Sequence, residues 1–152
     1  LHFYLVHRIS HCKWLYDCSH YLHHRNTNVG PWSGLSMHPI EHLLYFTRWI
    51  ILFIVPSHPI HMFYLMQRPA LNPALGHTGF DRIVLKEEGE GISIDSYFHY
   101  LHHRFFECNY GTVTVPFDRW FGSLHDGTPE SYQRIRQKKR LPKEAAPAPA
   151  NT

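Results

Sequence analysis

Residues 95–107 read DSYFHYLHHRFFE, and the pentapeptide HYLHH inside this stretch also occurs at residues 20–24. The stretch has helical spacing, and Gly111 shortly after it is a typical helix stop. Positions i, i+3 and i+4 of a helix share one face. Burying three imidazoles without partners is costly, so two such triplets predict metal binding. The triplets are His20, His23 and His24, and His99, His102 and His103.

Two further histidine pairs have the i, i+4 spacing that places both rings on one helical face. The first, His7 and His11, is a weak signal when taken alone. The second, His38 and His42, has a carboxylate between its members. That carboxylate, Glu41, could orient a ligand imidazole by accepting a hydrogen bond from it.

A single histidine, His77, completes the candidate set. It lies between Gly76 and Gly79, where a flexible backbone can turn one ring inward. The eight histidines of the first pair and the two triplets exceed the needs of one tetrahedral metal, so two metals are predicted. Imidazole suits iron, zinc, copper and nickel alike, and the spacing does not choose among them. The cysteines lack zinc-ribbon spacing, which disfavours a thiolate zinc site.

The composition excludes several other classes of protein. The chain has 152 residues, 15 of them histidine, and a formal net charge of only +3. A charge this small argues against nucleic acid as a partner. With 15% aromatic residues, the chain is too aromatic to be disordered throughout. The three cysteines are few and, being odd in number, cannot all pair with one another, which argues against a secreted disulfide scaffold.

The first half of the chain is predicted to be helical with one long loop. A helix is expected over residues 1–24 and a turn-rich loop over 26–36, with Ser36 as candidate N-cap of the next helix. Residues 43–66 are the most apolar stretch, but charged, proline and histidine residues interrupt it. Two short helices broken at residues 56–59, in or against a bilayer, are therefore expected. A buried helical hairpin in a soluble protein is the alternative.

The second half is predicted to contain more irregular structure. Loops are expected over residues 67–76 and 81–91, and an extended aromatic segment over 112–124. We place the catalytic region at residues 1–131 and a tail at 132–152, which is basic at first and then Ala/Pro-rich and disordered. The apolar start, which runs directly into a histidine pair, suggests that the chain is incomplete at its N-terminus.

The ordered motifs resemble those of the fatty acid hydroxylase/sterol desaturase superfamily. They are HRISH, HYLHH, MHPIEH, GHTGF, HYLHHRFFECNYG and FDRWFGS, which together span about residues 6–122. The resemblance implies a mostly α-helical integral-membrane protein with two iron ions, which zinc can replace in a purified protein. It also implies histidine boxes that face the cytosol, at the endoplasmic reticulum in a eukaryote or the inner membrane in a bacterium.

The resemblance carries over to individual residues. Asn109, in the NYG segment, is expected to brace the last box, and Glu41 to support a ligand. The role of His42 is less general among members of the superfamily than that of His38. The metal ligands implied are His7, His11, His20, His23, His24, His38, His42, His77, His99, His102 and His103.

The function implied is hydroxylation or desaturation of a lipid C–H bond. The reaction uses O2 and electrons from a reductase or a small haem protein. The identity of the lipid substrate stays open, since the motifs are compatible with sterols, fatty acyl chains, sphingolipids, carotenoids and alkyl glycerol ethers. Three alternatives remain: a zinc-dependent membrane hydrolase, a metal-binding membrane protein of the same fold without oxygenase activity, and a soluble histidine-rich metal store.

Overall fold

Short helices make up most of the computed structural model, which describes residues 1–80, 82–85 and 91–140. The α-helices are α1 (His2–Ser10), α2 (Lys13–Leu15), α3 (Tyr21–His24), α4 (Pro39–Phe46), α5 (Ile51–Ile54), α6 (Pro59–Gly76), α7 (Ser96–Phe105), α8 (Phe117–Trp120) and α9 (Pro129–Arg140). A π-helical turn, Tyr16–His20, joins α2 to α3, and 3-10 turns occupy Pro31–Leu35 and Thr47–Ile50. Strands β1 (Arg82–Val84) and β2 (Gly91–Ser93) pair antiparallel, with Ile83 opposite Ile92. The predicted mostly α-helical fold is confirmed.

The prediction of one continuous helix over residues 1–24 is wrong. Helix α1 ends at Ser10, and Cys12 has extended backbone angles, with φ −64° and ψ 136°. The chain resumes as α2 and then widens into the π-helical turn. Nine residues along a straight α-helix amount to two and a half turns. His11 and His20 would therefore lie on opposite faces of an unbroken helix, whereas the break lets their rings meet.

The apolar stretch forms a helical hairpin, broken where the prolines predict. Helix α5 ends at Ile54, and α6 begins at Pro59, where the His58 side chain accepts a hydrogen bond from the Ile60 N–H at 3.2 Å. Helix α6 then continues to Gly76 through Pro69 and Pro73. The loop predicted over residues 67–76 is therefore wrong, because packing overrides the local proline signals. The 3-10 turn at Pro31–Leu35 packs along this part of α6.

The tip of this hairpin carries apolar side chains without cover from the rest of the described chain. Phe53 is 91% exposed and Ile54 70%, and on α6 Phe63 is 60% exposed. Both ends of the hairpin return to the histidine-rich core, since Glu41 contacts His20 and the His77 ring lies 5.1 Å from that of His23. Among the residues that the structure describes, none of the helices is both long enough and apolar enough to cross a membrane.

The contact between the 3-10 turn and α6 leaves no space for a side chain at Gly34. A Cβ atom there would lie 2.2 Å from the Pro73 carbonyl oxygen. Gly34→Ala is therefore expected to lower the free energy of unfolding by about 1–3 kcal/mol, as other overpacked sites do. Thermal unfolding of the purified protein measures this. The matched control is Gly30→Ala, since a Cβ at Gly30 meets nothing within 4 Å. Equal melting temperatures for the two variants would contradict the prediction.

After α7, buried polar side chains hold the chain in a compact turn. The Asp118 carboxylate accepts hydrogen bonds from the Tyr110 N–H at 2.9 Å, the Gly111 N–H at 2.7 Å and the Ser123 hydroxyl at 2.6 Å. The Asn109 amide donates to the Phe98 carbonyl, donates to the His125 carbonyl and accepts from the His125 N–H. These bonds fix the segment that follows α7 against both that helix and the next loop.

One prediction for the C-terminal part is wrong, and others concern residues that the structure does not describe. The segment 112–124, predicted as extended, contains helix α8, whose buried Asp118 organises the turn before it. The predicted boundary between residues 131 and 132 falls inside α9, which carries most of the basic run. The Ala/Pro-rich tail lies outside the described residues, as do Asp81 and residues 86–90 of the loop predicted over residues 81–91, in which Arg82–Val84 form β1 instead.

Candidate metal centre

Nine imidazoles converge in the core and divide into two clusters. In each cluster, one ring nitrogen from every histidine lies within 4.8 Å of the others. The five-histidine cluster consists of His7, His11, His20, His24 and His102. The four-histidine cluster consists of His23, His77, His99 and His103.

The five-histidine cluster contains a closed ring of four Nε2 atoms. Along the ring, His11, His20, His24 and His102 follow one another, and each adjacent pair of Nε2 atoms is 3.1 Å apart. A regular ring with such edges has its centre at most about 2.2 Å from each nitrogen, close to the roughly 2.0–2.1 Å of a zinc–imidazole bond. The fifth ring, His7, lies beside His102, with ring centroids 4.4 Å apart. The donor set therefore fits a divalent metal ion.

The four-histidine cluster has the same spacing. The His103 Nε2 atom lies 3.1 Å from the Nε2 atoms of both His23 and His99. The fully buried Nε2 atom of His77 has no hydrogen-bond partner within the part of the chain that the structure describes. The His77 ring lies 4.7 Å from the rings of both His99 and His103. A buried nitrogen without a partner is costly, and a metal ion between these rings would remove that cost.

Adjacent histidines in the sequence contribute to different clusters. His23 and His24 are neighbours in α3, but only His24 belongs to the five-histidine cluster. In α7, His102 belongs to that cluster and His103 to the other. Consecutive helical residues point about 100° apart, which separates them. The clusters abut at the stacked rings of His24 and His103, whose centroids are 4.6 Å apart.

Hydrogen bonds on the outer side of the rings orient the five-histidine cluster. The Nδ1 atoms of His7 and His102 lie within hydrogen-bond distance of the carbonyl oxygens of Tyr110 and Cys108. The Nδ1 atom of His20 lies 2.8 Å from Glu41 Oε1. Carbonyl and carboxylate oxygens only accept, so Nδ1 carries the hydrogen in all three rings. Their Nε2 lone pairs therefore face the centre of the cluster, as metal binding requires.

A serine fixes the ring of His77 in the same way. The Ser33 hydroxyl donates to the Gly30 carbonyl at 2.7 Å and lies 2.7 Å from His77 Nδ1. Since its one hydrogen goes to Gly30, the hydroxyl accepts from His77, and His77 Nε2 keeps its lone pair. His23 Nδ1 similarly lies 3.3 Å from the Ser36 carbonyl. No signal in the sequence marked Ser33 or the backbone carbonyls, because their contacts depend on tertiary structure.

Burial keeps these imidazoles neutral. It is the main cause that lowers the pKa of His23 to about 4, that of His77 to about 3, and those of His11 and His103 to about 2. Neighbouring histidines lower the pKa further at each of these sites, whereas Glu41 acts in the opposite direction on His23. A neutral imidazole is the form that binds a metal.

Acid is therefore expected to destabilise the metal-free protein. In the unfolded chain a histidine titrates near 6.5, whereas folded His23 and His77 titrate at about 4 and about 3. Below about pH 6.5 the unfolded chain binds protons that the folded chain does not. Each such histidine then removes about 1.4 kcal/mol of stability per pH unit. Thermal unfolding of metal-free protein between about pH 7.5 and about pH 5.5 measures this, and a constant melting temperature would contradict it.

The structure places the other predicted residues outside both clusters. His38 is the N-cap of α4, where its Nδ1 accepts from the Ile40 N–H at 3.3 Å, so it takes the capping role predicted for Ser36. His42 is half-buried and stacks on Phe46. Glu41 contacts His20, whereas Asn109 braces the chain after α7 and, among the described residues, makes no hydrogen bond to a clustered histidine.

The fold and the site define a class: helical proteins with clustered imidazoles that could hold metal ions. Within that class, the family model described as fatty acid hydroxylase matches residues 1–123. The chain therefore belongs to the fatty acid hydroxylase family, which confirms the superfamily predicted from the motifs. The solved structures contain no significant match.

Several curated relatives are sterol desaturases by name. A protein of Arabidopsis thaliana, provisionally named Delta(7)-sterol-C5(6)-desaturase 2, is 32% identical over 80% of this chain and 43% of its own length. The Delta(7)-sterol-C5(6)-desaturase of Nicotiana tabacum is 30% identical over 77% of this chain and 41% of its own. Delta(7)-sterol 5(6)-desaturase ERG3B of Gibberella zeae is 27% identical over 84% of this chain and 39% of its own length. The chain spans about two fifths of the length of these relatives.

Proposed function

We propose that this protein is a membrane-bound non-haem diiron oxygenase that desaturates or hydroxylates a lipid. The observation that carries the proposal is the pair of abutting clusters of five and four imidazoles, seven of them buried and two, His11 and His99, half-buried. Few carboxylates accompany them, and among the described residues Glu41 is the one in contact with a clustered ring. Family membership supports the same chemistry. The sterol relatives favour desaturation of a sterol, with hydroxylation of a fatty acyl chain as the second candidate.

The residues of the chain have separate tasks in this mechanism. The five-histidine cluster and the four-histidine cluster would each hold one iron ion. When bound, the iron pair supplies the activation of O2 needed to break an unactivated C–H bond. Glu41 would not bind the metal itself. Its carboxylate holds His20 by accepting a hydrogen bond from the His20 Nδ1–H. The carbonyls of Tyr110 and Cys108 hold His7 and His102 in the same way, and together these bonds keep the Nε2 atoms converged.

Exclusion of water is a second task of the protein. Among the clustered rings, His7, His20, His77 and His102 are 0–1% exposed. On one side, Phe106 closes the five-histidine cluster, with its ring 4.7 Å from that of His11 and 5.1 Å from that of His24. A dry site strengthens the electrostatic interactions within it and protects reactive species from side reactions.

The apolar hairpin supports a membrane location. Its two ends lie at the metal centre through Glu41 and His77, while its tip exposes Phe53, Ile54 and Phe63. We propose that the tip is buried in lipid and that the clusters lie near the membrane surface. The exposed arginines of α9, Arg134 and Arg136, favour the cytosolic side, following the positive-inside bias. That side is the endoplasmic reticulum surface in a eukaryote and the inner-membrane surface in a bacterium, where a reductase or small haem protein would supply electrons.

Product analysis under controlled O2 tests the proposal. Membranes from cells that express the protein are given a sterol, a reductase system and NADH, and lipids are analysed by mass spectrometry. We expect a sterol lighter by two hydrogens, formed only when both O2 and reductant are present. An ester cleaved without O2 would instead identify the hydrolase alternative. Bound metal without any O2-dependent product, on sterols or on fatty acyl lipids, would identify a metal-binding protein without oxygenase activity.

A further inference from the structure

A groove of about 440 Å³ lies on the side of α7 opposite the metal centre. One face of helix α7 is a stripe of residues with the i, i+3, i+4, i+7 spacing. These residues are Tyr97, Tyr100, Leu101 and Arg104. That stripe lines the groove, whereas His99, His102 and His103 belong to the clusters. The opposite wall comes from the loop that precedes α9 and from α9 itself, including His125 and Tyr132. The groove is therefore separate from the proposed oxygenase site.

His125, one of the residues that line this groove, carries a buried hydrogen-bond donor. Its side chain is 2% exposed and stacks on Phe105, with centroids 4.6 Å apart and planes 12° from parallel. Its Nδ1 accepts from the Gly127 N–H at 3.0 Å, so the neutral ring carries its hydrogen on Nε2. Nε2 has no hydrogen-bond partner among the residues described. A buried donor in this state costs free energy unless a ligand accepts from it.

The other polar groups of the groove are also suited to donate. Arg104 donates to the Tyr100 hydroxyl oxygen at 2.7 Å, which leaves the Tyr100 O–H hydrogen to donate elsewhere. The exposed guanidinium of Arg104 provides further donors and a positive charge. No carboxylate is among the residues described as lining the groove. The hydroxyls of Tyr97 and Tyr132 add polar groups on aromatic walls. Donors on facing walls beside the Arg104 charge match an oxyanion.

We propose that this groove binds a phosphate group through His125 Nε2–H, the Tyr100 hydroxyl and the Arg104 guanidinium. A tetrahedral phosphate presents acceptors in several directions at once, as donors on facing walls require. The aromatic walls would contact the body that carries the phosphate. That body is either a soluble phosphate ester or the head group of a phospholipid. Because Arg104 directly follows His103 in α7, an occupied groove would stabilise the helix that supplies ligands to both clusters.

Binding measurements on the metal-loaded protein test the proposal. Inorganic phosphate is titrated by calorimetry, and in parallel vesicles of phosphatidylcholine with and without phosphatidic acid are compared by flotation. We expect saturable binding of at least one probe that Arg104→Gln and Tyr100→Phe each weaken, Arg104→Gln by at least tenfold. His125→Phe, which keeps the stacking on Phe105, is expected to weaken it to a similar degree. Should His125→Phe fail to fold, the two variants on the groove rim still decide the outcome.

The matched control is Arg119→Gln, which removes the same charge from an exposed position of α8 outside the groove. Binding of inorganic phosphate would identify a soluble phosphate ester, and binding only to phosphatidic acid vesicles would identify a phospholipid head group. The proposal is overturned when neither probe binds, or when Arg104→Gln and Tyr100→Phe bind as the unmodified protein does. It is also overturned when Arg119→Gln weakens binding as much as Arg104→Gln, since that result indicates only a diffuse surface charge.

Discussion

Removal of the His102 imidazole is expected to empty the five-histidine cluster while leaving the four-histidine cluster loaded. The His102 Nε2 atom lies 3.1 Å from the Nε2 atoms of both His11 and His24. His102→Ala therefore opens the ring of nitrogens and leaves a cavity in its place. We expect metal content to fall from about two ions per chain to about one, and O2-dependent lipid oxidation to fall more than about 100-fold, because loss of even a supporting residue typically costs 10–100-fold.

The complementary variant, His23→Ala, is expected to empty the other cluster. His23 Nε2 lies 3.1 Å from His103 Nε2, and the His23 ring also contacts that of His77. Metal analysis by mass spectrometry and O2 consumption are measured on both variants. The control is His61→Ala, since His61 is exposed and belongs to neither cluster. If both cluster variants keep two metals and full activity, the two-metal assignment is wrong.

Loss of the Asp118 carboxylate is expected to have the largest effect on stability. Asp118 is 2% exposed and accepts three hydrogen bonds, from the N–H groups of Tyr110 and Gly111 and from the Ser123 hydroxyl. Asp118→Ala leaves these three buried donors without an acceptor. Since each unsatisfied buried donor costs about 1–3 kcal/mol, we expect the free energy of unfolding to fall by about 3–5 kcal/mol, measured by denaturant or thermal unfolding.

The effect of Asp118→Ala should extend to the metal centre. The Tyr110 carbonyl holds His7 Nδ1 at 2.7 Å, so a displaced Tyr110 releases one ring of the five-histidine cluster. We therefore expect weaker metal retention in the same variant. Asp17→Ala is the control, because Asp17 is exposed and pairs with the exposed Lys13, and such pairs contribute about 0–1 kcal/mol. Equal stability of the two variants would contradict the role assigned to Asp118.

The sequence predicted the members of the clusters better than their arrangement. Helical spacing marked eight of the clustered histidines, and the glycines around His77 marked the ninth, because these signals are local. The division of His23 from His24, and of His102 from His103, depends on how α3 and α7 lie against each other. Spacing within one helix carries no information about that contact.

The errors in the predicted fold have the same origin. Pro69 and Pro73 read locally as loop residues, but packing of α6 against the turn at Gly34 keeps the helix intact. The hairpin break at residues 56–59 was predicted correctly, since prolines at a helix boundary act locally. The N-cap of α4 was assigned to Ser36 on residue preference, whereas the backbone begins its helix after His38.

The division of neighbouring histidines between the two clusters limits how this chain can change in length. A single residue added to or removed from α3 or α7 would rotate every later ring by about 100°. Such a change would exchange the partners of His23 and His24, or of His102 and His103, and disorder both clusters together. Substitutions at the exposed positions Tyr21 and Leu22 leave the ring directions unchanged. We therefore expect these helices to tolerate exchanges of surface residues while tolerating no insertion or deletion.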